Sequence, residues 1–245
     1  MRRLFDIHRF ATIDSTNTWV MDQARSGAEE GLVAVAAEQT AGRGRLGRTW
    51  IAPPGGSLLM SVLLRPASLP ADRLHLATAA VAMAGADALT RVADITPLLK
   101  WPNDLLVGDR KLAGVLTEVD GPSPDGGFAV VVGIGVNCTW PTELPAEIAD
   151  VAIAANHVAG RPVDTDDVLG ALLDGLAARL DAGWDAVAGE YATRVATVGR
   201  EVRVELANES FTGMAAEVEP DGALVVNTDA GPRRVLAADV IHLRV

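Results

Sequence analysis

A chain of 245 residues has room for one large domain and a small one, and 49% apolar with 22% charged residues describes a protein built around a core. A formal net charge of -11 argues against the broad positive surface that nucleic-acid binding needs, and no run approaches the roughly 20 apolar residues of a membrane span. A single cysteine, Cys138, excludes an intramolecular disulfide, and the start MRRLFDIHRFATID has no signal-peptide pattern, so the reading is cytoplasmic.

In chain order, residues 5–13 read as a strand, and DSTNTWVMDQA opens a helix to about residue 27 with Asp14 or Ser15 as its cap. Ser15, Thr16 and Asn17 are local capping groups on that reading, and equally three short hydrogen-bonding side chains on a pocket rim. The apolar run LVAVAA (32–37) reads as a strand centrally placed in a sheet. It feeds EQTAGRGRLGRTW (38–50), which holds Gly42, Gly44 and Gly47 beside Arg43, Arg45 and Arg48. Such a loop, with exposed N–H groups and guanidinium forks, suits carboxylate or phosphate oxygens. It is neither a Walker A loop nor a dinucleotide fingerprint, so it specifies an anion without saying which.

A second apolar strand follows at 58–64, then an alanine-rich helix over 72–91. In LLKWPNDLLVGDRKLAGVLTEV, Lys100 and Trp101 end a short strand and Asn103 and Asp104 sit at a turn. Gly108 and Asp109 form a hairpin turn, Lys111 opens the next strand, and Gly114 lies inside it, where a glycine marks a close approach. After a Pro/Gly-rich loop at 121–127, FAVVVGIGVN (128–137) is a strand whose Gly133 and Gly135 strip one face of side chains and leave a floor for something flat. Asn137 ends it with an amide that can read a donor-acceptor pair, and Cys138 reads as a small buried hydrophobe. A long connection (139–163) leads to two helical segments, one striped by Leu169, Leu172, Leu173, Leu176 and Leu180, the other running through Trp184 and Tyr191. From Gly199 the chain changes to five short strands, EVRVEL, FTGMAAEV, ALVVNT, RRVLA and VIHLR, which suggest a small barrel. The histidines, His8, His75, His157 and His242, are scattered and form no metal site.

Five of these stretches, DSTN (14–17), EQTAGRGRLGR (38–48), KWPND (100–104), RKLAGVLTE (110–118) and GIGVN (133–137), occur in an order and spacing that resembles the biotin protein ligases across essentially the whole chain. The resemblance implies an α+β fold: a mixed sheet with helices as catalytic domain (1–197), then an SH3-like β-barrel (198–245). It implies that biotin and MgATP react to biotinyl-5'-AMP and pyrophosphate, and that biotin passes to a lysine of a biotin carboxyl carrier domain of acyl-CoA or pyruvate carboxylases. The chain begins almost at the catalytic domain, so the expected form is the one without the DNA-binding domain that many relatives carry at their N-terminus. No nucleic-acid or membrane partner is expected, and monomer and homodimer both stay open.

On the same resemblance, Ser15, Thr16, Gln39 and the backbone of Gly42 and Arg43 meet the biotin head group and Gly114 and Gly133 line its pocket, with Asn17 and Gly135 also among the residues that bind biotin or ATP. Arg43 and Arg45 face the carboxylate and the α-phosphate, Lys111 touches both, Arg48 holds phosphate or the loop, and Trp50 and Asn137 take adenine. Asn103 and Asp104 serve ATP, magnesium and the incoming amine. The protein itself is expected to supply no dedicated metal centre. Docking of an acidic carrier on an acidic ligase is expected through short-range contacts, at an exposed sheet edge. The rival readings are a lipoate or octanoate ligase with the same chemistry, and an RNA-binding protein, which the acidic balance and 4% aromatic content oppose.

Overall fold

The computed structural model describes residues 5–121, 127–206, 208–236 and 238–243, so the Pro/Gly-rich loop expected at 121–127 lies largely outside the described residues. Seven strands form the large sheet: β1 (Asp6–Ile13), β2 (Leu32–Gln39), β3 (Ser57–Leu64), β4 (Leu98–Lys100), β5 (Asp104–Val107), β6 (Arg110–Asp120) and β7 (Ala129–Asn137). Their order is β1-β2-β3-β7-β6-β5-β4, with β1 parallel to β2 and the other neighbours antiparallel. The strand at 32–39 is interior, as its unbroken apolar run requires, though it is second from the edge; β3, buried at every position, lies nearer the centre.

The two faces of β3 and β7 divide the molecule. Leu58, Met60, Val62 and Leu64, with Val130, Val132, Ile134 and Val136, face the main core under α2 (His75–Ala93) and α5 (Thr165–Ala182). Helix α2 is long and apolar enough to cross a membrane by length and composition, but its apolar surface is spent in this core. The alternate residues, Leu63 and Val131, pack under α1 (Thr16–Arg25) with Val20 and Met21. Farther along the same face the alternation brings up Leu59, Ser61, Gly133 and Gly135, and the apolar packing gives way to a cleft.

The connection at 139–163 holds two short helices, α3 (Ala146–Ala149) and α4 (Ala155–Ala159), and α6 (Trp184–Arg194) follows α5. Asp164 caps α5 by accepting from the N–H groups of Asp166 and Asp167. Buried Cys138 has its thiol pushed up to about 11 by burial, which leaves it an inert packing group.

The C-terminal strands β8 (Glu201–Glu205), β9 (Ser210–Val218), β10 (Leu224–Thr228), β11 (Gly231–Val235) and β12 (Asp239–His242) correct the expected SH3-like barrel. They form an open antiparallel sheet ordered β11-β10-β9-β8-β12, and among the described residues its two edge strands do not pair, so the sheet does not close. Local chemistry favours the open edge: β11 contains Pro232, which has no N–H to give a further ladder, and β12 is only 4 residues long. The sheet meets the KWPND turn through Trp101 Nε1, which donates to Gly222 O at 2.9 Å.

Candidate functional site

The site lies on the α1 side of the large sheet. Ser15 occupies the N-cap position of α1 without making a capping bond; instead the Thr16 N–H donates to Gln39 Oε1 at 2.7 Å. Gln39 therefore does the work expected of Asp14 or Ser15, while the Asp14 carboxylate accepts from the Ser15 N–H at 2.6 Å. Ser15, Thr16 and Asn17 are all buried, and with Gln39, Leu59, Leu116, Gly133 and Ile134 they line a narrow cleft open to solvent. A Cβ on Gly133 would overlap Asn17 Oδ1, so this wall closes only over glycine.

Beside it lies a larger cavity of about 680 Å³. Its walls bring together Arg43, Arg45, Arg48, Lys100, Lys111, Asn103, Asp104 and Asn137 from separated parts of the sequence. Arg43, Trp50, Gly114 and Leu116 line both cavities and form the partition between them. Trp50 lies across the glycine floor: a Cβ on Gly135 would come 2.5 Å from its indole, and one on Gly114 would come 3.0 Å from it. The loop turns tightly at Gly42, whose missing Cβ leaves room for the Trp50 carbonyl.

Lys111 reaches this partition because of a β-bulge. Along a regular strand, residues 111 and 114 would face opposite sides, but β5 and β6 shift register between Leu105–Ala113 and Leu106–Lys111, leaving Leu112 as the extra residue. The Lys111 side chain is thereby turned over Gly114, where a Cβ would come 2.8 Å from Nζ. Its ammonium pairs with Asp104 Oδ1 at 2.6 Å and sits 5.4 Å from the centre of the Trp50 ring.

The three loop arginines have different partners. Arg43 forks onto Glu118, Arg45 donates to Asn103 Oδ1 at 3.2 Å, and Arg48 pairs with Asp239 of β12. Burial lowers the Arg45 pKa, against the pull of Asp104 and with the push of Arg48. Lys100, to which the sequence assigned no role, stands on the wall of the larger cavity; burial lowers its pKa, Asp104 opposes this, and Lys111 and Arg48 reinforce it. Two partly desolvated cations gain from an anion between them. Asn137 donates to Ile153 O at 3.0 Å and Lys111 O at 3.3 Å, while its buried Oδ1 has no partner among the described residues. Trp140, Ile148 and Val151 add an apolar wall that no sequence motif announced. Among the described residues, no group of three or more His, Cys, Asp or Glu side chains is arranged to hold a metal ion.

Residues 9–137 match the biotin/lipoate A/B protein ligase family, and residues 197–243 match the biotin protein ligase C-terminal domain. The chain belongs to the biotin protein ligases. The biotin--[acetyl-CoA-carboxylase] ligase of Mycobacterium tuberculosis is 35% identical to it over 244 residues, 96% of this chain and 88% of that protein. The bifunctional ligase/repressor BirA of Bacillus subtilis is 30% identical over 233 residues, 93% of this chain and 71% of its own length. The structure of the Aquifex aeolicus biotin protein ligase in complex with biotin and ATP matches with a TM-score of 0.81 at 28% identity, over 97% of this chain and 99% of that one.

The KWPND turn of the ligase also rests on the C-terminal sheet. Thr197 Oγ1 accepts from the Trp101 N–H at 2.9 Å and lies 3.0 Å from His242 Nε2. Burial, reinforced by Lys100 and Arg200 against Asp109, depresses His242 from 6.5 to about 4. The unfolded chain then binds the extra proton first, so this residue costs the fold stability as pH falls from about 6.5 to about 4 and contributes no slope above or below that window. His242→Gln is expected to flatten the pH dependence of the urea midpoint within it; an unchanged slope would refute the assignment.

Proposed function

We propose that the narrow cavity receives the fused rings of biotin and the larger one MgATP, so that the biotin carboxylate meets the α-phosphate at the partition. The observation that carries this reading is the pair of adjoining cavities sharing Arg43, Trp50, Gly114 and Leu116, with the Lys111 ammonium at their seam. A cyclic urea has one carbonyl and two N–H groups, which suits the hydroxyl and amide groups of Ser15, Thr16, Asn17 and Gln39 and the backbone of Gly42 and Arg43. Gly133 makes room for Asn17, and Gly114 and Gly135 make room for the Trp50 indole, an apolar plane against which the flat body can lie.

The ligase forms biotinyl-AMP and modifies a carrier protein. In the first step a carboxylate oxygen bonds to the α-phosphorus and the bond to the β,γ-diphosphate breaks, releasing pyrophosphate. Two anions must approach, and Lys111 and Arg45 offset their repulsion and the charge that grows on the phosphoryl oxygens. Arg48 and Lys100 hold the departing diphosphate. Trp50, Asn137 and the wall of Trp140, Ile148 and Val151 take the adenosine, the free Asn137 Oδ1 accepting from an exocyclic amine. Magnesium arrives with ATP and keeps waters and phosphate oxygens; Asp104 and Asn103 would hold it in exchange for their contacts with Lys111 and Arg45. In the second step a carrier lysine amine bonds to the acyl carbon and AMP leaves.

Biotin-dependent exchange of labelled pyrophosphate into ATP tests the first step, with lipoate and octanoate in parallel. Exchange with biotin alone is expected. Exchange with another acid only would keep the chemistry and overturn the pocket assignment.

A further inference from the structure

Arg43 is the first guanidinium of the glycine-arginine loop, and its charge is already matched by a residue that the sequence left without a role. Nη1 donates to Glu118 Oε1 at 2.8 Å and Nη2 to Oε2 at 2.7 Å, a two-pronged pair of the kind that fixes geometry as well as charge. Glu118 lies on the face of β6 that also carries Gly114 and Leu116. Its Oε2 accepts a further bond from Asn17 Nδ2 at 2.8 Å. On the far side of the amide, Asn17 Oδ1 accepts from Ser61 Oγ at 2.6 Å, and Ser61 Oγ lies 2.7 Å from Thr16 Oγ1. Thr16 in turn meets Gln39 Oε1 at 3.0 Å. The loop, β6, α1, β3 and β2 are thus joined by one continuous hydrogen-bonded chain.

The chain has a direction. Carboxylate oxygens only accept, so Glu118 obliges Asn17 to turn its Nδ2 toward β6 and its Oδ1 toward Ser61. Ser61 then gives its one proton to Asn17, and the single Thr16 proton is divided between Ser61 Oγ and Gln39 Oε1. Ser61 is completely buried and Asn17 and Thr16 nearly so, which makes an unmet group here costly and the arrangement stiff. Without the carboxylate the Asn17 amide keeps only the longer bond to Leu116 O, at 3.3 Å, and the bond from Ser61; were it to turn over, the groups facing the narrow cavity would exchange donors for acceptors.

We propose that Glu118 and Ser61 are positioning residues for the acid-activation step, which make closure of the arginine loop and assembly of the head-group pocket one event. Glu118 acts on the loop through Arg43 and on the pocket through Asn17; Ser61 passes the Asn17 orientation to Thr16. Arg43 on this account tethers the loop, and the phosphate-facing duty falls to Arg45, Arg48, Lys100 and Lys111. The proposal rests on the assignment of the narrow cavity to the biotin rings.

The test uses the full-length protein and five variants, E118A, E118Q, R43A, R43A/E118A and S61A. Biotin affinity is measured by calorimetry and the rate of tryptic cleavage at the loop arginines with and without biotin and ATP. Glu118→Ala is expected to raise the biotin Kd about tenfold and to speed loop cleavage about tenfold, the loss of charge-assisted bonds. Glu118→Gln keeps an acceptor for Asn17 and loses the charge, so it should recover most of the biotin affinity and little of the loop protection, a separation that general destabilisation would not produce. R43A/E118A should cleave no faster at the remaining arginines than the faster single variant, since both remove one link. Ser61→Ala should weaken biotin binding without changing cleavage of the unliganded loop. Wild-type cleavage rates in E118A, or effects of R43A and E118A that add, would overturn the proposal. Wild-type protein that fails to bind biotin would overturn the head-group assignment instead, and cleavage of the unliganded loop would still report the tether.

Discussion

Lys111→Ala is expected to lower biotin-dependent pyrophosphate exchange at saturating substrates by about 10²–10³-fold, the magnitude typical of removing one charge-stabilising donor from a water-excluded site. The bulge at Leu112 turns this ammonium over Gly114 at the seam of the two cavities, 2.6 Å from Asp104. A point charge on a flexible stem can follow an oxygen whose charge grows during the reaction, so the loss should fall on the rate more than on biotin affinity. Lys111→Arg should rescue poorly, because a planar fork cannot occupy the space above Gly114 between Asp104 and the Trp50 ring. An alanine variant whose maximal exchange rate is unchanged and whose only defect is a higher KM for ATP would reduce Lys111 to a ground-state contact.

Gly133→Ala should abolish biotin binding at any practical concentration, with a Kd at least about 100-fold higher, while Gly135→Ala should weaken ATP more than biotin. The two glycines are two residues apart on one strand, and the difference lies in what opposes them. The methyl at 133 would overlap Asn17 Oδ1, and that amide cannot retreat: it is held by Ser61, Leu116 O and Glu118. Forcing it aside costs the fold about 1–3 kcal/mol as well as the pocket. The methyl at 135 meets the Trp50 indole, the end of a side chain on a loop, which can shift at the expense of the place beside the nucleotide proposed for it. Parallel titrations with biotin and with ATP check the contrast, and equal effects of the two substitutions on biotin would show that the floor is not divided in this way.

How much of this was legible beforehand follows from the range of each interaction. Strands β2, β3 and β7 could be read because they are buried on both faces and therefore continuously apolar. Gly114, Gly133 and Gly135 could be read because a strand gives up a packing side chain where something must approach its backbone closely. Glu118 stood inside a recognisable motif, but no local pattern says which arginine, 75 residues away in sequence, a carboxylate will meet. Ser61 carried a faint signal as the lone polar residue inside LLMSVLL. Trp140, Ile148 and Val151 carried none, since apolar residues in a long connection read as packing. The expected barrel failed for a related reason: five short alternating strands specify a sheet, and whether its edges join depends on twist, length and edge chemistry such as Pro232.

The amino-acid sequence by itself determined the family, through five motifs in one order and spacing, and it determined the α+β plan, the positions of the turns and the residue types that chemistry on two anions requires, because these last are matters of periodicity, glycine placement and charge along the chain. The tertiary structure alone decided the partners: Glu118 for Arg43, Asn103 for Arg45, Asp239 for Arg48, Asp104 for Lys111 and Gln39 for the start of α1. Those choices turn on distances of about 3 Å between residues far apart in the chain, which only the packed sheet register and one bulge bring about.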